Sequence, residues 1–260
     1  MGDFDDWKEK YLGYVDSVIN FLPYKRMAQW KDFGLDPLSK VSKPDSVMQR
    51  VKDIYVMEIY SILFGVLAGL PLLVIYGIAF AFLSVFMFGI PLIFLAALLV
   101  AWLLLLILSP VFTILYCLVE YAVAKMVGGT GDYNTHFNAS VASGLAAFTF
   151  ELPLMVAYIP IGWALVVPCV NYLVMIVAFP LNMLRMAINL YGIYLKFTSF
   201  RKLHELSDGR AAAVVIVPIV LLVIAVIAVV VILYVTMFAA MLAPFFLAVA
   251  AAGADGSAPS

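Results

Sequence analysis

Three long stretches of this chain contain no Asp, Glu, Lys or Arg, and they limit what the chain can fold into. They lie between Glu58 and Glu120, between Glu151 and Arg185, and between Arg210 and Asp255, with lengths of 61, 33 and 44 residues. A helix crosses the hydrocarbon of a bilayer with about 20 apolar residues, so each stretch holds at least one crossing. With 66% hydrophobic and 12% charged residues, the composition excludes a soluble globular domain, a disordered chain and a disulfide scaffold. The sequence therefore predicts an all-α integral membrane protein.

Turn-forming residues divide the apolar stretches into a predicted five-helix transmembrane bundle. Gly89-Ile90-Pro91 is the turn signal in the longest stretch, and the last stretch has no Gly, Asn or Pro between Ile219 and Ala243. The predicted spans are 59–88, 91–124, 139–163, 169–197 and one that begins at 211. We expect residues 1–58 to form a cytoplasmic region of amphipathic helices and a linker, 59–250 the transmembrane domain, and 251–260 a flexible extracytoplasmic tail.

Basic residues orient the spans, because short cytoplasmic loops carry an excess of Lys and Arg. With the N-terminus inside, 14 of the 15 basic residues fall on the cytoplasmic side, and the outer loops and the C-terminal tail contain none. Arg185 is the exception, because it falls within span four. This distribution predicts a multi-pass protein of the cell membrane with a cytoplasmic N-terminus and an outer C-terminus.

The N-terminal region carries one apolar stripe at steps of three and four residues, formed by Phe4, Trp7, Tyr11, Tyr14, Val15, Val18, Ile19 and Leu22. This spacing predicts an amphipathic helix that ends before Pro23. Aromatic residues favour the headgroup boundary, but the polar face carries more acids than bases, which disfavours binding to anionic lipid by charge. We therefore expect the helix to dock on the cytoplasmic ends of the spans or on a partner protein, with lipid contact as the alternative. The expected pairs join Asp5, Asp6 or Asp16 to Arg201, Lys202 and Arg210.

Polar residues also occur at membrane depth on spans three and four. Arg185 lies about 12 residues, or roughly 18 Å, inside the cytoplasmic boundary, and Glu151 lies at the same depth on span three. Ionisable groups at that depth cost at least ~2.5–3.5 kcal/mol each and usually face a partner or water. Asn182 and Asn189 share one helix face with Arg185, so we expect a buried polar cluster in which Glu151 pairs with Arg185. Such a cluster is either a structural ion pair or part of an ion or substrate pathway.

The region near the inner boundary offers few groups for chemistry. We expect Glu120 and Lys125 to extend to the headgroups there. His136 and His204 fall on the cytoplasmic side, but their spacing matches no metal-ligand motif. The Gly129-Thr130-Gly131-Asp132 segment matches a short pattern of intramembrane aspartyl proteases, whose chemistry needs a second carboxylate that no span supplies. We predict no catalytic residue, no metal, no cofactor and no enzymatic activity.

Two segments of the second half carry a family resemblance. One is 119–133, with Gly128-Gly129 in the loop after span two, and the other is 200–211, with Leu203-His204-Glu205-Leu206-Ser207 before the final span. Residues 119–230 resemble the Yip family, multi-pass membrane proteins named for binding Ypt/Rab GTPases and present also in prokaryotes. The resemblance implies a five-span Yip domain with a cytosolic N-terminus and suggests a prokaryotic-type member.

The function expected from these features is that of a non-enzymatic membrane scaffold or organising protein acting through its cytoplasmic face on the bilayer or on partner proteins. The expected residues of that face are Gly128, Gly129, Asp132, His136, Arg201, Lys202, His204 and Glu205. The alternative is a small transporter or channel that uses the Glu151, Arg185, Asn182 and Asn189 cluster. The bilayer is the expected partner, while a protein partner at the cytoplasmic face and a homo-oligomer stay open. Nucleic acid is not expected, since residues 1–58 hold 9 basic and 10 acidic residues.

Overall fold

The computed structural model describes residues 2–37, 45–86, 90–167 and 170–255, and these residues are helical with short connections. Seven helices are described: α1 Gly2–Phe21, α2 Met27–Leu35, α3 Val47–Phe86, α4 Ile90–Met126, α5 Tyr133–Ala164, α6 Asn171–Leu203 and α7 Asp208–Asp255. No strand occurs among the described residues. The predicted all-α class is confirmed.

Five of these helices are long and apolar enough to cross a membrane, which confirms the predicted number of spans. The qualifying segments are Val47–Leu83, Leu106–Met126, Tyr133–Ala164, Tyr172–Leu203 and Asp208–Thr236. The chain is therefore a multi-pass membrane-type helical protein. The Gly89 end of the predicted hairpin lies outside the described residues, as do 256–260 of the predicted tail.

Several predicted boundaries are corrected by the structure. The segment 159–164, predicted as part of a return loop because of its prolines, continues α5, with Pro153 and Pro160 inside the helix. Transmembrane helices tolerate proline because neighbouring groups satisfy the freed backbone carbonyls. The charged loop predicted from Lys196 begins only after Leu203, and residues 251–255 of the predicted flexible tail are helical.

Helix α5 lies at the centre of the packing. Every residue from His136 to Leu152 is buried except Gly144. Helices α3 and α5 run in the same direction, since Arg50 Nε donates to Asn138 Oδ1 at 2.8 Å near the start of both, and Trp163 Nε1 at the end of α5 donates to the Leu67 carbonyl at 2.8 Å halfway along α3. At Gly162 the two backbones are so close that a Cβ atom would lie 2.0 Å from the Ala68 carbonyl oxygen.

The N-terminal helices pack on this central helix. The prediction of an amphipathic helix ending before Pro23 is confirmed by α1, whose Val15 and Ile19 enter the main hydrophobic core together with Leu22, the residue after the helix. Helix α2 adds Met27 and Trp30 to the same core. Burial of these side chains gives the short helices a stability that they would lack in isolation.

The chain divides into two compact units, 1–215 and 216–260. The first holds α1 to α6 and the start of α7, where Ala211, Val214 and Val215 are buried. The second is the remainder of α7, whose side chains from 220 to 236 are exposed. A helix that is apolar on all sides suits a lipid environment, in agreement with the prediction of one long final span.

Candidate functional site

The glycine-rich loop between α4 and α5 encloses the side chain of His204. Gly128 has a φ of +92°, a conformation that glycine adopts without a Cβ clash. A Cβ atom at Gly129 would lie 2.8 Å from the Ala124 carbonyl oxygen and 2.9 Å from His204 Nδ1, and one at Gly131 would lie 2.9 Å from the same ring. Thr130 N–H donates to the His204 carbonyl at 3.3 Å. The glycines are therefore needed for close packing against this histidine.

His204 in turn contacts the first turn of α5. Its Nε2 lies 2.8 Å from His136 Nδ1, so one ring donates to the other, and both side chains are fully buried. Phe200 stacks on His136 with a centroid distance of 4.2 Å and an interplanar angle of 12°. The edge of Tyr121 meets His136 at 5.6 Å. The imidazole pair thus joins the segment after α6 to α4 and α5.

A carboxylate of α4 extends this contact into the bundle. Glu120 is fully buried and accepts hydrogen bonds from Ser140 Oγ at 2.6 Å and from Lys196 Nζ at 2.9 Å. His136 Nε2 lies 4.0 Å from Glu120 Oε2. Charge-assisted hydrogen bonds of this kind offset part of the cost of burying a carboxylate. We name the set formed by Glu120, Ser140, Lys196, His136, His204 and the loop 128–131 the histidine clasp.

The clasp favours neutral imidazole at His204. Burial lowers the pKa of His204, with Lys125 acting in the same direction and Asp132 opposing it. Among the described residues, His204 Nδ1 and His136 Nε2 have no hydrogen-bond partner. The clasp therefore combines satisfied charged groups with two unpaired ring nitrogens, and protonation of either ring would introduce a further positive charge near Lys196 and Lys125.

The remaining residues predicted for the cytoplasmic face lie around the clasp. Asp132 is the N-cap of α5, and hydrogen bonds from the Thr135 hydroxyl and from Thr135 N–H, the latter at 3.1 Å, lower the pKa of Asp132. Arg201 Nε lies 2.9 Å from Asp208 Oδ1. The side chains of Lys202 and Glu205 are exposed. These positions carry exposed charge, as predicted for a surface.

Three of the predictions for this end of the bundle are wrong. His136 and His204 were expected on the cytoplasmic face, but both side chains are buried between helices. Glu120 does not extend to the headgroups, because Ser140 and Lys196 hold it inside the protein. Lys125 is exposed, but its Nζ donates back to the loop carbonyls of Gly129 and Thr130.

The predicted pair of Glu151 and Arg185 is confirmed as a direct ion pair. Glu151 is 8% exposed, whereas the Arg185 side chain is 50% exposed. Asn182 accepts from the Tyr158 hydroxyl at 2.8 Å instead of bridging the pair. Asn182 and Asn189 are exposed, so the prediction that all four residues are buried is wrong for three of them. Their face of α6 lies at the surface of this chain because Ile188 and Leu195 occupy the buried face.

Packing of the N-terminal helix on the spans is confirmed, but it occurs at the middle of α5 and not at the end near the basic loop, and the predicted charge pairs are wrong. Tyr11 donates to the Phe150 carbonyl, and burial, with Glu151 adding to it, raises the pKa of Tyr11 to about 12. Asp16 pairs with Lys31 of α2, and Asp6 pairs with Lys10 on its own helix. The apolar stripe fixes α1 against α5, away from the basic loop, so its acids find partners nearby.

A second polar network was missed at the sequence level. Asp53 of α3 is fully buried and accepts from Arg26 Nε at 3.0 Å and from Gln49 Nε2 at 3.1 Å, and the Tyr24 hydroxyl also donates to it. Arg50 joins it through Asp45 at 3.0 Å. The network fastens the segment before α2 to the start of α3. Its members are ordinary charged residues of a polar region, so no spacing distinguished them.

The contacts of the histidine clasp fix the positions of the two imidazole rings and compensate the charge of Glu120. Within the described parts of the chain, no group of three or more His, Cys, Asp or Glu residues is placed to hold a metal ion. Family models, curated proteins and solved structures give no significant match to this chain. The resemblance to the Yip family therefore stays a prediction.

Proposed function

We propose that this chain is a non-enzymatic membrane scaffold of the Yip type that acts through the cytoplasmic end of its bundle. The observation that carries the proposal is the histidine clasp, which brings together the two segments of the resemblance, 119–133 and 200–211: Thr130 N–H donates to the His204 carbonyl, and Gly129 and Gly131 pack against the His204 ring. The glycines of the first segment and His204 of the second thus form a fixed loop structure. A fixed loop structure suits a surface that presents groups to a partner.

Exposed charged side chains surround the clasp and would make the contacts. Lys202, in the last turn of α6, and Glu205, just after that helix, are both exposed. Arg210 lies close to the glycine-rich loop, since a Cβ atom on Gly128 would lie 3.6 Å from Arg210 Nη1. Exposed charges on a rigid base give partner selectivity and steer association. The scaffold would act on the bilayer or on a protein that binds at this end of the bundle.

The transporter alternative is less well supported. Its predicted cluster is not enclosed by the chain, because Arg185 is half exposed and Asn182 and Asn189 lie on the surface of α6. Glu151 pairs with Arg185 from that surface, and the Tyr11 side chain lies close to it. This geometry resembles a structural ion pair.

Site-specific photo-crosslinking in cells tests the scaffold function. A photo-reactive residue at Lys202 should give discrete crosslinked products, whereas one at Val167, at the opposite end of α5, should not. Gly129→Ala should weaken the Lys202 products at equal protein level, because a Cβ there disturbs the clasp. No product at Lys202, together with ion flux in proteoliposomes that Arg185→Gln abolishes, would replace the scaffold by a transporter.

The proposed orientation has its own test in the same cells. After replacement of Cys117 and Cys169, a cysteine at Ser207 should be protected from an impermeant thiol reagent in intact cells, and one at Val167 should react. The positive-inside distribution of Lys and Arg is the reason for this expectation. The opposite labelling pattern would invert the topology and remove the cytoplasmic surface from the proposal.

A further inference from the structure

Helix α1 leaves a row of large aromatic side chains uncovered. Trp7, Tyr14 and Phe21 follow one another at intervals of seven residues and are 46%, 66% and 86% exposed. Phe4, at the start of the same helix, is 68% exposed and stacks on Trp7 at 6.2 Å. Transfer of side chains of this size out of water lowers the free energy, so their exposure to water would be unfavourable. Packing of the helix on the bundle does not explain them, because it uses a different stripe.

The row lies on a face of its own. At about 100° per residue, Trp7, Tyr14 and Phe21 lie roughly 110° around the helix from the buried stripe of Val15 and Ile19. We name the three exposed side chains the aromatic edge of α1. The side of the helix that packs on α5 and the aromatic edge are thus two adjacent faces.

Three acidic residues of the helix lie on a third face. By the same rotation, Asp5, Glu9 and Asp16 lie roughly 160° away from the aromatic edge. Lys10 flanks the edge and is exposed, and its Nζ lies 2.7 Å from Asp6, whose charge it compensates. Asp5, Glu9 and Asp16 therefore do not oppose contact between the edge and a lipid surface.

These three faces match one environment. A helix fixed sideways to a membrane-spanning bundle, with acids on one side and Trp and Tyr on the other, suits the bilayer boundary, where amphipathic aromatic rings are favoured. The charged face runs along the helix from Asp5 to Asp16, so the helix cannot stand upright in the hydrocarbon without burying these charges. Its axis must instead follow the bilayer surface.

We propose that the aromatic edge of α1 binds the headgroup region of the bilayer, with the helix lying in the plane of the membrane and held laterally by Tyr11, Val15 and Ile19. Because Tyr11 donates to the Phe150 carbonyl, the proposal places the bilayer boundary near Phe150, deeper along α5 than the boundary near 139 that the sequence predicts. The occupant is phospholipid, and contact of α1 with lipid stands independently of the scaffold function.

Spin labels on the full chain in phospholipid nanodiscs test the contact. With Cys117 and Cys169 replaced, labels at Tyr14 and Phe21 report on the edge, and labels at Glu9 and Asn20 on the exposed polar face are matched controls. All four positions are at the helix surface, so substitution should leave the fold intact. The ratio of the collision rate with dissolved oxygen to that with a water-soluble nickel chelate should be several-fold higher for the edge labels than for the controls. Their depths should be similar, since the helix lies in the plane.

Two other patterns would overturn the proposal. Edge labels that meet the chelate as readily as the controls would place the edge in water, and edge labels shielded from both reagents would mean that protein, such as a second copy of this chain, covers it. A measurement without labels gives an independent reading. At equal protein concentration, brominated lipids should remove more fluorescence intensity from the unmodified protein than from Trp7→Phe. An equal loss of intensity would contradict lipid contact at this position.

Discussion

Two carboxylates of this bundle each pair with a cation of α6, but they do so in different surroundings. Glu120, in the histidine clasp, is fully buried and bound by Ser140 and Lys196, whose side chain is only 19% exposed. Glu151 is buried on α5 but pairs with Arg185, whose side chain is 50% exposed. The comparison shows that an ion pair between two spans is not by itself a buried site. What matters is how much protein surrounds both partners.

The difference has a physical consequence for each pair. When a cation enclosed by protein is removed, its carboxylate stays out of reach of water and headgroups and is left uncompensated. Removal of the half-exposed Arg185 side chain instead opens Glu151 towards the surface of the chain. We therefore expect the clasp to respond more strongly than the Glu151–Arg185 pair to the removal of one partner.

The largest effect is expected from Lys196→Met. This change leaves the Glu120 carboxylate buried without its cation, and should cost about 3–5 kcal/mol of unfolding free energy. The double change Lys196→Met with Glu120→Gln should recover much of that loss, because no charge is left unpaired. Unfolding in mixed micelles measures both, and Arg201→Met on the same helix is the control, because its pair with Asp208 is exposed on both sides and contributes little to stability. Equal losses in the single and double variants would show that the two groups are not coupled.

A smaller effect is expected from Arg185→Met. Glu151 then loses its partner, and a cost of about 2 kcal/mol is typical of a polar group left unsatisfied. The double change with Glu151→Gln should again be milder than the single change. If Arg185→Met proved as damaging as Lys196→Met under the same conditions, exposure of the cation would not explain the difference between the pairs.

The packing of the clasp can be changed without touching a charge. Gly129→Ala adds one methyl group against the Ala124 carbonyl and the His204 ring, and should cost about 1 kcal/mol through overpacking. Gly144→Ala is the matched control, because a Cβ there meets nothing within 4 Å. Thermal unfolding distinguishes the two variants. A Gly129→Ala protein as stable as the Gly144→Ala protein would mean that His204 does not need the glycine.

The smallest effect is expected from mild acid. Burial lowers the pKa of His204, so the folded state favours the neutral ring and the unfolded state binds a proton first. The resulting stability is present above the ordinary histidine pKa of about 6.5 and decreases as the pH falls below it. The melting temperature should therefore decrease from neutral pH to about 5.5, a range in which ordinary carboxylates stay ionised.

His204→Asn supplies the control for this pH dependence. The chain has two histidines, so in this variant only His136 can contribute in the same range. Its melting temperature should vary less with pH than that of the unmodified protein, even if it is lower throughout. Identical pH profiles would contradict a role for His204 in the dependence.

Much of the architecture followed from local patterns in the sequence. The stripe that includes Val15 and Ile19 predicted α1, because a period near 3.6 residues needs no knowledge of distant residues. Glu151 and Arg185 were paired from matched depth on consecutive antiparallel spans.

The clasp could not be predicted in the same way. Glu120 lies 20 residues from Ser140 and 76 from Lys196 in the chain, and these separations follow no repeat. Which neighbours a side chain meets depends on the rotation of each helix about its axis. Rotation also explains the error at Asn182 and Asn189, which share a face of α6 as predicted, although that face points away from the core.

The sequence by itself determined the all-α class and the number of spans, because both depend on the length and hydrophobicity of continuous stretches. It also determined where α1 would carry apolar, aromatic and acidic residues. Only the tertiary structure decided which charges are enclosed, which are half exposed, and that the loop 128–131 closes around His204. Helix packing brings distant residues together through side-chain shape, and no pattern along the chain records that shape.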